Sequence, residues 1–238
     1  MRIGTAGWSI PREYAERFPA AGTSLERYAS RFIAAEINSS FHRPHRAATW
    51  ERWRDSVPAD FRFSVKLPKE ITHQRKLIDT AEPVDRFIDQ VRLLGQKLAV
   101  LLVQLPPKLA FDAGIAREFF AALVARSSAR IACEPRHLSW FGPDADEMFA
   151  SLNVARVAAD PALCPAAEVP DSWSELAYFR LHGSPKMYRS PYRERVHLYA
   201  GQLERALNAG RGAWCIFDNT ASSAAMGDAL ALLADVSR

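Results

Sequence analysis

Two pairs of ionisable residues stand at alternate positions in apolar stretches of the chain. Glu134 lies two residues before Arg136, and Arg180 lies two residues before His182. Burial and cationic neighbours can tune a carboxylate for acid–base chemistry, so Glu134 is the first candidate for proton transfer, with His182 as a proton shuttle. Arg136 and Arg180 could hold a phosphate or carboxylate in bidentate fashion. A salt bridge that only anchors these arginines, and a histidine bonded to the wall, fit the same pattern.

Further polar side chains occupy similar positions, inside or just after apolar runs. They are Glu36, Asn38, Lys66, Gln104 and Asn219. We expect Lys66 to bind an anion rather than to form a Schiff base. A Schiff base needs a neutral amine, and nearby carboxylates would keep the Lys66 amine charged. Asn38 and Gln104 would orient the bound ligand.

Aromatic and imidazole side chains follow several of the same runs. Trp8, Phe41, Trp140 and Tyr188 lie among arginines and lysines, and His73 stands in the string KEITHQR. Aromatic rings interleaved with basic residues suit stacking on bases or sugar rings. His73 could be a hydrogen-bond donor at the rim or a capping residue. Ordinary packing is the alternative for at least two of the aromatic rings.

Short apolar, β-branched runs and helical patterns alternate along the chain and must position these side chains. The runs lie near residues 2–6, 33–38, 61–66, 98–104, 130–136, 154–159, 176–182 and 213–219. Eight strands alternating with helices predict an α/β fold, a single (β/α)₈ TIM-barrel-like fold over residues 1–238. An open doubly wound sheet is disfavoured because no G-x-G-x-x-G or GK[ST] motif is present. Residues 161–173 are rich in proline, so the sixth helix should be weak or missing.

Strand periodicity indicates which side chains share the interior of such a barrel. In the third run, Phe63 and Val65 point one way, and Ser64 and Lys66 point the other. Several runs turn polar on one face towards their carboxyl ends, where barrel enzymes build active sites. A closed ion network that merely fills the lumen remains open, because buried charges are costly unless they are paired.

Composition sets broad limits on function. The chain has 238 residues, 48% hydrophobic and 24% charged, with a formal net charge of +4. No apolar stretch long enough for a transmembrane helix or a signal peptide is seen, so we expect a cytoplasmic protein without membrane contacts. The basic residues concentrate in residues 41–80 and 178–212, which a barrel would bring to one rim. The three cysteines have no CxxC spacing.

Metal and cofactor sites are not expected. Some acidic and histidine side chains are potential ligands for Zn²⁺ or Mn²⁺: Glu36, His73, Glu134, Asp160, His182 and Asp218. No HExxH or similar local motif occurs, and Lys66, Arg136 and Arg180 would surround an ion with positive charge.

Several strings resemble those of the YecE-like family, which is catalogued as a domain of unknown function. They are GTAGWS at 4–9, EINSSFHR at 36–43, FRFSVKLPKEITH at 61–73, LVQLPP at 102–107, CEPRHLSW at 133–140, FRLHG at 179–183 and FDN at 217–219. The resemblance implies a TIM-barrel-like fold with a pocket at its carboxyl-terminal face, and no established reaction. The chain departs from the family pattern at His42, Pro135 and Asp218.

The sequence thus favours an enzyme that binds a phosphate- or carboxylate-bearing ligand at the mouth of the barrel. Hydrolase, lyase and isomerase chemistry all stay open. A nucleic-acid-binding or phosphodiester-cleaving protein is the first alternative, because the rim is basic and aromatic. A non-catalytic small-molecule-binding protein is the second.

Overall fold

Strands and helices alternate through most of the chain. The computed structural model describes residues 1–173 and 175–236. Its strands are β1 (Arg2–Thr5), β2 (Ala34–Ile37), β3 (Arg62–Lys66), β4 (Leu98–Gln104), β5 (Arg130–Glu134), β6 (Val154–Arg156), β7 (Ala158–Asp160), β8 (Leu176–Leu181) and β9 (Gly212–Phe217). Its α-helices are α1 (Ser24–Ala29), α2 (Ala47–Asp55), α3 (Ala81–Val91), α4 (Ala113–Arg126), α5 (Pro143–Ser151), α6 (Val196–Asn208) and α7 (Ala224–Val236).

The strands form two parallel sheets that adjoin at both seams. One sheet has the order β2-β3-β4-β5-β6 and the other β1-β9-β8-β7. At one seam only Val157 separates β6 from β7, and its N–H donates to the Cys133 carbonyl at 2.8 Å. At the other, Ala6 bridges Glu36 in parallel and the Gly7 N–H donates to the Glu36 carbonyl at 2.8 Å. The fold is therefore TIM-barrel-like, as predicted, with the sixth predicted strand split into two short ones.

The sixth helix is missing from the described part of the chain, also as predicted. Between β7 and β8 the structure contains only a 3₁₀ turn, Pro165–Glu168. Prolines at 161, 165 and 170 remove backbone donors that a helix in this segment would need. The loops at this side of the barrel mouth consequently pack on the strands without a helix between them.

Alternate strand residues divide the apolar core into two parts. Phe63, Val65 and their counterparts on other strands pack outwards against the helices. A second cluster fills the lumen near the amino ends of the strands: Ala34, Val100, Leu102, Ala132, Ala155, Val157, Leu176, Tyr178, Trp214 and Ile216. The charged residues continue the inward-facing positions towards the carboxyl ends of the strands. An apolar floor therefore lies beneath the polar mouth.

No helix in the two described ranges combines the length and apolar character that crossing a membrane requires.

The seam between β1 and β2 depends on a glycine. A Cβ atom on Gly4 would lie 2.1 Å from the Ala34 carbonyl oxygen and 2.9 Å from the Tyr28 hydroxyl. We expect Gly4→Ala to lower the free energy of unfolding by about 1–3 kcal/mol, because the seam must open to admit a methyl group. Gly201→Ala is the matched control: its Cβ meets only Arg205 at 3.5 Å on α6, and alanine favours a helix by about 1 kcal/mol. Urea unfolding measures both, and equal effects would contradict this account of the seam.

Candidate functional site at the carboxyl ends of the strands

Arg180 is the centre of the polar mouth. Its Nε and Nη2 donate to the two carboxylate oxygens of Glu36 at 3.0 and 2.7 Å. Its Nη1 donates to Gln104 Oε1 at 3.1 Å and to Glu134 Oε2, and its Nη2 donates to Asp218 Oδ2 at 2.9 Å. These contacts account for all five N–H groups of a guanidinium.

Arg180 therefore has no donor left for a ligand. Its side chain is fully buried. Burial alone would lower its pKa, but the carboxylates of Glu36, Glu134 and Asp218 raise it well above the ordinary value. The predicted ligand contact by Arg180 does not fit this geometry, which makes Arg180 the residue that positions three carboxylates.

Glu134 is held by cations on both of its oxygens. Oε2 accepts from Arg180, while Oε1 forms an ion pair with Arg136 and lies 2.9 Å from His182 Nε2. Burial works to raise its pKa, but Arg136, Arg180 and His182 hold it well below the usual range. Both oxygens of Glu134 therefore contact Arg136, Arg180 or His182, and through these contacts Glu134 positions Arg136 and His182.

His182 can satisfy both of its ring nitrogens in either charge state. Nδ1 lies 3.1 Å from Asp218 Oδ2, and Nε2 lies close to both Arg136 Nη2, at 2.8 Å, and Glu134 Oε1. A neutral ring can donate from Nδ1 to Asp218 and accept at Nε2 from Arg136, whereas a protonated ring can donate to both carboxylates. The ring of Tyr188 covers it edge-on, with centroids 5.6 Å apart.

Glu36 is held from below by two residues, Tyr178 and Ser64, that sequence analysis does not identify as part of the site. The Tyr178 hydroxyl lies 2.8 Å from Glu36 Oε2 and 2.8 Å from Ser64 Oγ. Tyr178 can donate to Glu36 while it accepts from Ser64. Burial, followed by the Glu36 charge, raises the pKa of Tyr178 well above its ordinary value, so the phenol keeps its proton. Both residues face inwards with the parity of Lys66 and Arg180, which is the signal that could have identified them.

Asp218 is the carboxylate of this network that retains access to solvent. Its side chain is 11% exposed, whereas those of Glu36 and Glu134 are 0% exposed. Burial acts to raise its pKa, but the Arg180 charge and the His182 hydrogen bond keep it below the ordinary value. Oδ1 receives a long hydrogen bond of 3.4 Å from Asn38 Nδ2. Sequence analysis does not identify Asp218 as a ligand contact, although the alternation of strand residues places it, like Ile216, in the lumen.

Lys66 presents a cation at the other side of the mouth. The side chain is nearly buried, and its Nζ lies 4.1 Å from the centre of the Phe41 ring. Among the described residues no hydrogen bond or ion pair to Nζ is found, and burial, with help from the Arg180 charge, lowers its pKa to about 8. His73 packs edge-on against Phe41, 4.9 Å between centroids, so it lies close by.

Arg136 is the third cation of the mouth and is only partly engaged. Its Nη2 contacts Glu134 and His182, and 15% of its side chain is exposed. Its Nε has no hydrogen-bond partner, and none is found for Nη1 within residues 1–173 and 175–236. Gln104 uses its oxygen to accept from Arg180, which leaves its amide nitrogen available.

Three predicted ligand contacts lie elsewhere. Trp140 is buried in the outer core, and its Nε1 donates to the Leu109 carbonyl at 2.8 Å. Asn219 is fully buried and donates to the Ser190 carbonyl and to Asp228 Oδ2, at 3.0 and 2.7 Å. Trp8 packs edge-on against Trp53, 5.1 Å between ring centroids. These side chains support loops and helices around the mouth, because they turn away from the lumen.

The mouth thus brings together most of the predicted site. The residues that meet there or at its rim are Glu36, Asn38, Phe41, Lys66, His73, Gln104, Glu134, Arg136, Arg180, His182 and Tyr188, joined by Ser64, Tyr178 and Asp218. In the described part of the chain, no group of three or more His, Cys, Asp or Glu side chains is arranged to hold a metal ion.

Comparison of the sequence with protein families gives a match over nearly the whole chain. The family model described as "Protein of unknown function DUF72" matches residues 2–238. Among curated proteins, UPF0759 protein YecE of Escherichia coli K12 is 32% identical over 105 residues, covering 44% of this chain and 37% of YecE. UPF0759 protein YunF of Bacillus subtilis is 32% identical over 149 residues, covering 59% of this chain and 52% of YunF. The chain thus aligns with about half or less of each relative.

Solved structures confirm the fold. A DUF72 family protein of Enterococcus faecalis superimposes with a TM-score of 0.83 at 19% identity, covering 100% of this chain and 95% of its own. A DUF72 family protein of Thermotoga maritima superimposes with a TM-score of 0.82 at 21% identity, covering 100% of this chain and 99% of its own. At these identities the likeness concerns the arrangement of the backbone.

Proposed function

Because the chain belongs to the DUF72 family, whose function is unknown, we propose a function from its own side chains: it is an enzyme that binds a small anion at the mouth of the barrel. The observation that carries this proposal is a pair of cations, Lys66 and Arg136: within residues 1–173 and 175–236, no hydrogen bond from Lys66 Nζ or from Arg136 Nη1 is found. Cationic donors with unused hydrogen bonds at a water-accessible mouth suit a carboxylate or phosphate.

Lys66 and Arg136 contact the anion in this proposal, and Asn38 and the Gln104 amide orient it. Asp218 and His182 move the proton, since Asp218 is the accessible carboxylate and contacts the imidazole directly. The buried layer beneath, centred on Arg180, keeps these groups in place. The reaction is acid–base chemistry on an anionic substrate, with hydrolase, lyase and isomerase classes open.

The mouth is close to electrical balance before an anion binds. Three carboxylates, Glu36, Glu134 and Asp218, face three cations, Lys66, Arg136 and Arg180. An arriving anion adds negative charge to this network. Lys66 and Arg136 are the cations that would offset this charge, because the N–H groups of Arg180 are already used by its partners.

Nucleic-acid binding is the second candidate, favoured by the surface around the mouth. Arg43, Lys69, Lys186 and Arg189 are exposed on loops that follow β2, β3 and β8. The sugar–phosphate backbone of a nucleic acid could lie across these loops. Affinity for a polyanion of this kind falls steeply with salt, whereas a small anion held by two cations depends on salt far less.

A thermal-shift panel tests the proposal. Ligands that bind the folded state raise the melting temperature by mass action. The panel contains inorganic phosphate, sugar phosphates, nucleotides, carboxylates and a short single-stranded DNA. We expect at least one small anion to raise the melting temperature, and the rise to be lost in Lys66→Met and in Arg136→Met.

Lys108→Met is the matched control, because Lys108 is exposed on the loop after β4 and its loss changes the net charge equally. It should keep the full thermal shift. A shift that is equal in all variants would contradict the proposed site. A shift with DNA alone, abolished by salt, would favour the second candidate.

A further inference from the structure

An apolar cavity of about 260 Å³ adjoins the mouth at the side where the sixth helix is missing. Its walls come from the loops after β4, β5, β7 and β8. They include Pro107, Pro135, Phe141, Leu163 and Met187. Proline rings and branched or thioether chains offer few hydrogen bonds, so these walls suit hydrocarbon.

Arg136 connects this cavity to the polar mouth. It is the one charged side chain among the residues that line the cavity. Its Nη2 contacts Glu134 and His182 at the mouth, while the same side chain lines the cavity. A molecule whose anionic group contacts Arg136 from the mouth can therefore place an adjoining apolar group in the cavity.

We propose that the cavity binds the apolar part of the substrate, which is then an amphipathic anion: a carboxylate or phosphate that carries a short hydrocarbon chain or ring. The proposal rests on the anion site proposed above and names its substrate class. Small-molecule pockets enclose roughly 300–1,000 Å³, so this cavity has room for one portion of such a ligand and the mouth holds the rest. It is too small for a segment of folded protein.

The cavity is open to solvent at its rim and closed at its base, which suits a small ligand that enters from solvent. Leu163 and Met187 are 47% and 37% exposed at the cavity rim, while Pro135 and Val157 are buried at its base. Covering these exposed side chains removes apolar surface from water, which stabilises the complex. The cavity thus adds affinity for the hydrocarbon while Arg136 and Lys66 select the charge.

A series of straight-chain carboxylates provides the test. Acetate, butyrate, hexanoate and octanoate are titrated into the protein by calorimetry. Affinity should rise by about fourfold for each buried CH₂, the equivalent of about 0.8 kcal/mol, and should level off when the cavity is full. Arg136→Met should weaken all four acids.

Two variants test whether the increase in affinity with chain length arises in this cavity. Ala162→Phe places a ring in it from a half-buried position, and should flatten the chain-length dependence while acetate affinity is kept. Leu163→Ser removes part of the wall and should reduce the gain per CH₂. Leu138→Ser is the matched control, because Leu138 is exposed near the mouth, at 60%, and does not line the cavity.

The outcomes separate this inference from the proposed function. Equal affinity for all four acids, still lost in Lys66→Met, would overturn the cavity assignment and leave the anion site intact. A chain-length gain that persists unchanged in Ala162→Phe would place the hydrocarbon elsewhere and also overturn it. Failure of all four acids and of every small anion in the thermal-shift panel to bind would overturn both proposals.

Discussion

Arg180→Met should lower the free energy of unfolding by about 3–5 kcal/mol, because it leaves carboxylates buried without their counter-ion. Glu36 and Glu134 are 0% exposed, so water cannot replace the guanidinium at these two carboxylates. Methionine fills a similar length but supplies no donor. Protonation removes the buried negative charge of the carboxylates. The difference in the free energy of unfolding between Arg180→Met and the wild type should therefore be smaller at pH 5 than at pH 7.

Arg156→Met is the matched control for that experiment. Arg156 is as buried as Arg180 and also pairs with two carboxylates, Asp146 and Asp171. Those carboxylates are 37% and 60% exposed, so they regain water when the arginine is removed. We expect a loss of about 1–2 kcal/mol there. Urea unfolding at pH 7 measures both, and an equal loss in the two variants would contradict the view of Arg180 as the obligate counter-ion.

Stability should rise between about pH 8 and pH 10.5 through the titration of Lys66. Burial lowers its pKa from 10.5 to about 8 in the folded protein. The folded-state pKa lies below the unfolded value, so in this window the unfolded chain binds more protons and raising the pH favours folding. The charged form costs stability below about pH 8. The gain across the window is about 3 kcal/mol.

The comparison of wild type with Lys66→Met isolates this effect from other groups that titrate in alkali. At pH 7.5 the variant should be the more stable protein, because methionine buries no charge. The stability difference should shift in favour of the wild type by about 3 kcal/mol by pH 10.5. Lys108→Met should show a difference that does not change with pH. A pH-independent difference for Lys66→Met would mean that Lys66 titrates as an ordinary exposed lysine.

Local sequence predicted the fold and the orientation of the strands because both depend on short-range patterns. The strand-like runs and the inward parity of Ser64, Lys66 and Arg180 are confirmed by the structure. The missing sixth helix was predicted from its prolines, which act locally. The same alternation of inward-facing and outward-facing residues, continued through β9, would also have predicted that Asp218 faces the lumen.

Pairing within the lumen could not be predicted in the same way. Glu36 and Arg180 are 144 residues apart, and their bidentate contact depends on the barrel's closure and register. Sequence therefore showed that cations and carboxylates share the lumen, but not that Arg180 is saturated while Lys66 is unpaired. The prediction that Trp140 contacts the ligand was wrong for a related reason. Trp140 follows β5 in the sequence, which predicted a position at the rim, but the short turn after β5 directs its ring into the outer core.

The decisive experiment is a crystal structure of the protein after soaking with the small anion that the thermal-shift panel identifies. We expect the anionic group within hydrogen-bond distance of Lys66 Nζ and Arg136, above the Arg180 network, with Asp218 and His182 next to the ligand. An anion bound only to the exposed basic loops, with water alone at Lys66 and Arg136, would contradict this expectation and leave the charged lumen as a structural network.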